Sequence, residues 1–164
     1  MTIKLVIFDA DKTLWSHHNV SALTFPFKLL DKDTISDAKK QTFHLFEGIR
    51  ELLSELQQRN ILIALASWNK PEPVEKALQL FAIAKFFSII KAEFHPNKHL
   101  LIKEILSDLS KEGVELRTEE ILYVDDRKLH LTKTLREVGQ LHFLQMWVDT
   151  KNPDDVLKYI NVMQ

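Results

Sequence analysis

The sequence predicts an α/β fold, a central parallel sheet of five strands with helices packed on both faces. Three observations predict it. Short, unbroken apolar runs recur along the chain, a stretch with helical period follows most of them, and only three glycines and five prolines interrupt the series. A strand buried on both faces reads as a continuous apolar run, and strand–helix alternation builds a parallel sheet covered on each side. Sparse glycine and proline imply long elements with short joints.

The first strand is expected over residues 3–9, where Leu5, Val6, Ile7 and Phe8 are consecutive. Residues 16–42 then lack a clean period and are rich in His, Phe and Lys. A connection of that length is usually functional or disordered, so the segment is expected to be a small insertion over the site, a minimal cap with some helix after Thr34. Over residues 47–59, Ile49, Leu52, Leu53 and Leu56 share one stripe with charges opposite, which predicts an amphipathic helix. A second strand follows at 61–66 ("ILIALA") and a helix at 73–81. The third strand is expected at 87–92 ("FSIIKA"). The helix at 98–109 places Leu101, Ile102, Ile105, Leu106 and Leu109 on its inner face. The fourth strand is expected at 121–124 ("ILYV"), a helix at 129–138, a weaker fifth strand at 141–146 and a last helix at 153–160. Pro153 suits a first helical turn, with Asn152 as its cap.

Composition bounds the possibilities. The 164 residues suffice for one domain with a real core, taken as 1–164 with the 16–42 insertion inside it. Lys plus Arg is 22 against 23 Asp plus Glu, so no basic excess points to nucleic acid. Cysteine is absent, which removes disulfides and thiolate metal sites. The chain opens directly on a strand-like run, so no signal peptide is expected, and no apolar stretch approaches the ~20 residues of a membrane helix. The expectation is a cytoplasmic protein with no membrane partner.

In an open α/β sheet, ligands bind beyond the carboxyl ends of the strands. The residues that follow each strand therefore carry the functional reading. Asp9, Asp11 and Thr13 follow the first, Ser67 the second, Lys98 the third after a short loop, and Asp125 with Asp126 the fourth. Each offers a group suited to phosphate or metal chemistry. Any one alone has a plainer reading: a strand-end Asp as a turn or cap residue, Ser67 as a cap, Lys98 as a solvated helix residue. One phosphate site explains the set together.

These residues resemble the four motifs of the haloacid dehalogenase-like (HAD) phosphohydrolases. "DADKT" matches that superfamily's DxDx(T/V) loop, Ser67 its motif-two hydroxyl, Lys98 its motif-three lysine, and Asp125–Asp126 its acidic motif. "FDADKTLW", "EFHPNK" and "YVDDR" look most like the magnesium-dependent phosphatase branch with a minimal cap. The resemblance implies a Rossmann-like three-layer sandwich and a phosphatase acting on phosphomonoesters through an aspartyl-phosphate. By resemblance, Asp9 is the nucleophile and Asp11 the general acid and base. Mg²⁺ is held by Asp9, the Asp11 backbone carbonyl, Asp125 and, directly or through water, Asp126. Ser67 holds a phosphate oxygen, and Lys98 serves both phosphate binding and transition-state charge. Trp68 and Asn69 stand where relatives often carry a basic residue. Both are candidate substrate contacts, Trp68 as a stacking platform or otherwise as a packing or flap anchor, as for Trp15. His95 and His99 are four apart but lack a third ligand, and read as surface histidines. The expected substrate is a phosphorylated small molecule or a phosphoprotein. A phosphotransferase on the same scaffold, or a non-catalytic metal- and phosphate-binding module, remains the alternative.

Overall fold

The structure, a computed structural model, describes residues 2–164. The chain forms, in order, β1 (Leu5–Phe8), a short 3₁₀ turn at Val20–Ala22, β2 (Lys28–Asp31), β3 (Thr34–Ser36), β4 (Thr42–His44) and α1 (Ile49–Gln58). It continues through β5 (Leu62–Ser67), α2 (Pro71–Leu80), β6 (Ile89–Ala92), α3 (Lys98–Lys111), β7 (Ile121–Asp125), α4 (Leu131–Glu137), β8 (His142–Gln145) and α5 (Asp154–Met163).

The central sheet has five strands in the order β6-β5-β1-β7-β8, all parallel. All four residues of β1 are completely buried, because it is the middle strand and both its faces are covered. Val6 and Phe8 join a core with Leu52, Leu53 and Leu56 of α1, Val74 and Leu78 of α2, and Val156 and Ile160 of α5. Leu5 and Ile7 point the other way, into a core with Leu101, Ile102 and Ile105 of α3. The period-2 alternation of the strand thus divides one apolar run between two layers. Each of these side chains, fully buried, contributes about 1.5–3 kcal/mol relative to exposure. The three-layer α/β architecture is the one expected.

Two local expectations are corrected. Residues 34–41 contain no helix; β2, β3 and β4 form an antiparallel three-stranded sheet. Ile35 in the middle of β3 is fully buried and pairs with Leu29 of β2 and Phe43 of β4, so its backbone is committed to the sheet on both sides. The Asp37 carboxylate then accepts the N–H groups of Thr24, Lys39 and Gln41 and folds the chain back into β4. The second correction lies at α5, where Asn152 does not cap the helix. Asp155, one residue inside it, accepts the N–H groups of Lys151 and Asn152.

The extra sheet lies between β1 and α1 and fits a cap insertion. Its root is Trp15, which pairs with Leu45 through an isolated bridge and packs on Phe43 and Phe81 at ring-centroid distances of 6.0 and 6.2 Å.

Candidate active site

Register sets the site. Phe8 lies beside Leu65 of β5 and Val124 of β7, so the next residue of each strand, Asp9, Ala66 and Asp125, emerges at one level of the sheet edge. Lys98, in the first turn of α3, reaches back to that level. Its Nζ donates to Asp9 Oδ1 at 2.6 Å and to the Ala66 carbonyl at 2.9 Å, and lies 3.7 Å from Asp125 Oδ2. The lysine is buried to 1% exposure and belongs to the site, not to the helix surface.

Thr13 ties the first loop to the fourth. Its hydroxyl donates to Asp9 Oδ2 at 3.2 Å and accepts the Asp126 N–H at 3.1 Å. Asp125 accepts the Arg127 N–H at 3.1 Å and the Tyr123 hydroxyl. One carboxylate oxygen each of Asp9, Asp125 and Asp126 lies within 4.8 Å of the others. Burial raises the pKa of Asp9, and Lys98 opposes the shift while Asp125 adds to it. Burial, and then the neighbouring Asp9 and Asp125 charges, push Asp126 up to about 8. Burial draws Lys98 down, but Asp9 and Asp125 outweigh it, and its pKa ends above the ordinary value. Three convergent carboxylates, all oxygen donors, fit a small hard cation.

Asp11 stands beside this cluster. Trp15 Nε1 donates to its Oδ1 at 2.8 Å and Asn69 Nδ2 to its Oδ2 at 2.8 Å. Burial raises its pKa against those two hydrogen bonds. Above Asp9 and Asp11 opens a cavity of about 320 Å³, walled also by Lys12, His18, Asn19, Trp68, Asn69, Phe94, Asp126 and Arg127.

All the residues singled out from sequence therefore gather at one sheet edge, at different depths. Asp9, Asp11, Trp68, Asn69 and Asp126 line the cavity, whereas Ser67, Lys98 and Asp125 lie beneath it with at most 1% exposure. Trp15 is fully buried, and Trp68 stands at the rim with its ring edge-on to His130 at 6.3 Å. Phe94, Asn19 and Arg127 line the cavity without having been singled out. Arg127 carried a signal, since it directly follows the acidic pair, but Phe94 and Asn19 sit in loops whose path no pattern fixes. His95 hydrogen-bonds Glu93 at 2.6 Å, and His99, expected at the surface, is buried in the first turn of α3.

The family follows from the chain as a whole. A family model for acid phosphatase matches residues 1–143. The chain belongs to the acid phosphatase family. Among its relatives, human magnesium-dependent phosphatase 1 is 26% identical over 129 residues, which span 78% of this chain and 70% of that protein. A HAD-superfamily hydrolase from Ehrlichia chaffeensis superposes with a TM-score of 0.67 at 17% identity, over 99% of this chain and 98% of the other. The N-terminal part of a Bacteroides fragilis protein, described as containing a phosphatase domain complexed with Mg, superposes with a TM-score of 0.65 at 16% identity. It covers 99% of this chain, which spans 40% of that longer one. These two likenesses show that this acid phosphatase family member has the HAD hydrolase fold. No helix among the described residues is long and apolar enough to cross a membrane.

Proposed function

We propose that the protein is a magnesium-dependent phosphatase that hydrolyses phosphomonoesters through an aspartyl-phosphate on Asp9. The observation that carries this reading is Lys98 buried against Asp9, with Asp125 and Asp126 beside the same carboxylate, in a chain of the acid phosphatase family. A carboxylate nucleophile divides a very slow hydrolysis into two easier steps. An Asp9 oxygen attacks phosphorus as the bond from phosphorus to the leaving oxygen breaks, and Asp11 gives that oxygen its proton. Asp11 then takes a proton from the water that attacks phosphorus, the Asp9–phosphorus bond breaks, and inorganic phosphate leaves. Lys98 orients Asp9 and offsets the negative charge that accumulates around the phosphoryl group.

Asp9, the Asp11 carbonyl, Asp125 and Asp126 would hold Mg²⁺, which the human relative's name supports; when bound it supplies positive charge against phosphate and carboxylates together. Ser67 and Trp68 are the proposed substrate contacts from the second loop. The three-stranded sheet, with His18 and Asn19 at the cavity wall, acts as a minimal cap. The cavity's open mouth suits a phosphorylated small molecule or an exposed phosphoryl group on a protein, met in the cytoplasm.

Hydrolysis of p-nitrophenyl phosphate by the purified protein tests the reading, with Mg²⁺, with EDTA, and beside Asp9→Asn. Turnover should require both the metal and Asp9, and the variant should fall to the buffer background. A folded protein that binds Mg²⁺ yet turns nothing over would be a binding module instead.

A further inference from the structure

We propose that Asn69 and Ser21 are positioning residues that clamp Asp11 and confine its proton to one oxygen. The inference rests on the acid–base reading of Asp11. The Asp11 carboxylate receives three N–H donors: Trp15 Nε1 and the Val20 N–H on Oδ1, at 2.8 and 3.3 Å, and Asn69 Nδ2 on Oδ2 at 2.8 Å. A carboxylate offers about four acceptor positions over its two oxygens. Oδ1 is therefore full, and one position on Oδ2 remains to carry a proton to or from substrate.

The orientation of Asn69 is fixed from the insertion. Its Oδ1 accepts the Ser21 hydroxyl at 2.5 Å and the Ser21 N–H at 3.3 Å. A backbone N–H can only donate, so the amide oxygen must face Ser21 and the NH₂ must face the other way. The two NH₂ hydrogens go to Asp11 Oδ2 and, at 2.9 Å, to Ser67 Oγ. The Ser21 hydroxyl in turn accepts the Lys70 N–H at 2.9 Å, which leaves its own hydrogen for Asn69. All four hydrogen-bonding positions of Asn69 are thus occupied within the protein, and the residue is 2% exposed. No polar atom of its side chain is left for a phosphate oxygen. Its part is to connect the Val20–Ala22 turn and the loop after β5 to the residue that moves the proton.

The measurement is kcat/KM on phenyl phosphate and on p-nitrophenyl phosphate, with the inhibition constant of inorganic phosphate, for Asn69→Ala, Ser21→Ala, Ser21→Thr and Asp11→Asn. Phenolate is the poorer leaving group and depends more on protonation. Misplacing a group by about 1 Å can cost ~10²-fold, so Asn69→Ala should lose roughly 10- to 100-fold on phenyl phosphate and clearly less on p-nitrophenyl phosphate. Inhibition by inorganic phosphate should stay within about twofold, since no phosphate contact is removed. Ser21→Ala should lose part of the same activity, and Ser21→Thr, which keeps the hydroxyl, should restore it. Ser21 is only half-buried, so its variants carry the test if Asn69→Ala does not fold.

Equal losses on both substrates, weakened phosphate inhibition, or no rescue by threonine would overturn the clamp. Asp11→Asn separates the two layers of inference. Full activity of Asp11→Asn on phenyl phosphate would remove the acid–base reading itself. Loss there, with Asn69 and Ser21 variants intact, would remove the clamp alone.

Discussion

At the scale of single residues, Lys98 carries two obligations. It is the positive charge against Asp9, 2.6 Å away, and it stands 3.7 Å from Asp125, all three nearly inaccessible to solvent. Lys98→Met keeps most of the side-chain volume and deletes the charge, so Asp9 and Asp125 are left buried against each other. Removing one partner of a buried pair typically costs about 3–5 kcal/mol. Denaturant unfolding of Lys98→Met in EDTA should show a loss on that scale, and Mg²⁺ should return part of it. The loss of an electrostatic stabiliser should lower kcat by about 10²–10³-fold. A kcat near wild type would assign the lysine to stability only. Lys98 was legible from sequence because it follows a strand end at the right edge of the sheet. The hydrogen bonds that Trp15 and Asn69 make to Asp11 were not, because a side chain crossing between loops leaves no period in the chain.

At the scale of elements, legibility tracked burial. β1, β5 and β7 are covered on both faces, and their unbroken apolar runs located them to within two residues. The strands of the insertion gave no such signal. All four residues of β2 are exposed, and Phe27, Ile35 and Phe43, which anchor the small sheet, are scattered at wide spacing. Where some helix is expected after Thr34, the Asp37 carboxylate closes a turn between two strands. The joint before β8 carries a second device. Gly139 has φ +135°, and a Cβ there would stand 2.6 Å from Thr118 Cγ2, beside the 3₁₀ turn that leads into β7. Gly139→Ala should therefore destabilise by about 1–3 kcal/mol, the usual range for overpacking. Adding Thr118→Ser removes the opposing methyl and should recover part of that loss, the remainder reflecting the positive φ. Thermal unfolding of the two single variants and the double variant reads this directly, and additive losses would mean that the two side chains do not meet.

At the scale of the whole molecule, the fold gathers like charges in its interior and must offset them. The sheet edge brings Asp9, Asp125 and Asp126 to within 4.8 Å, and Lys98 supplies one positive charge against three carboxylates. A dication bound there would stabilise the native state alone, since the unfolded chain disperses its ligands across more than a hundred residues. Binding at 100 times Kd adds about 2.7 kcal/mol. For a chain of this size each kcal/mol raises Tm by roughly 2–4 °C, so saturating Mg²⁺ should raise it by about 5–11 °C over EDTA. The increment should shrink in Asp125→Asn and in Asp126→Asn, and more strongly in the former if Asp125 is a direct ligand and Asp126 acts through water. Differential scanning calorimetry of parent and variants, each with Mg²⁺ and with EDTA, separates this from catalysis because no substrate is present. A parent Tm indifferent to Mg²⁺ would mean that the substrate-free native protein does not bind the metal in preference to the unfolded chain, and would overturn a preformed site on this carboxylate cluster.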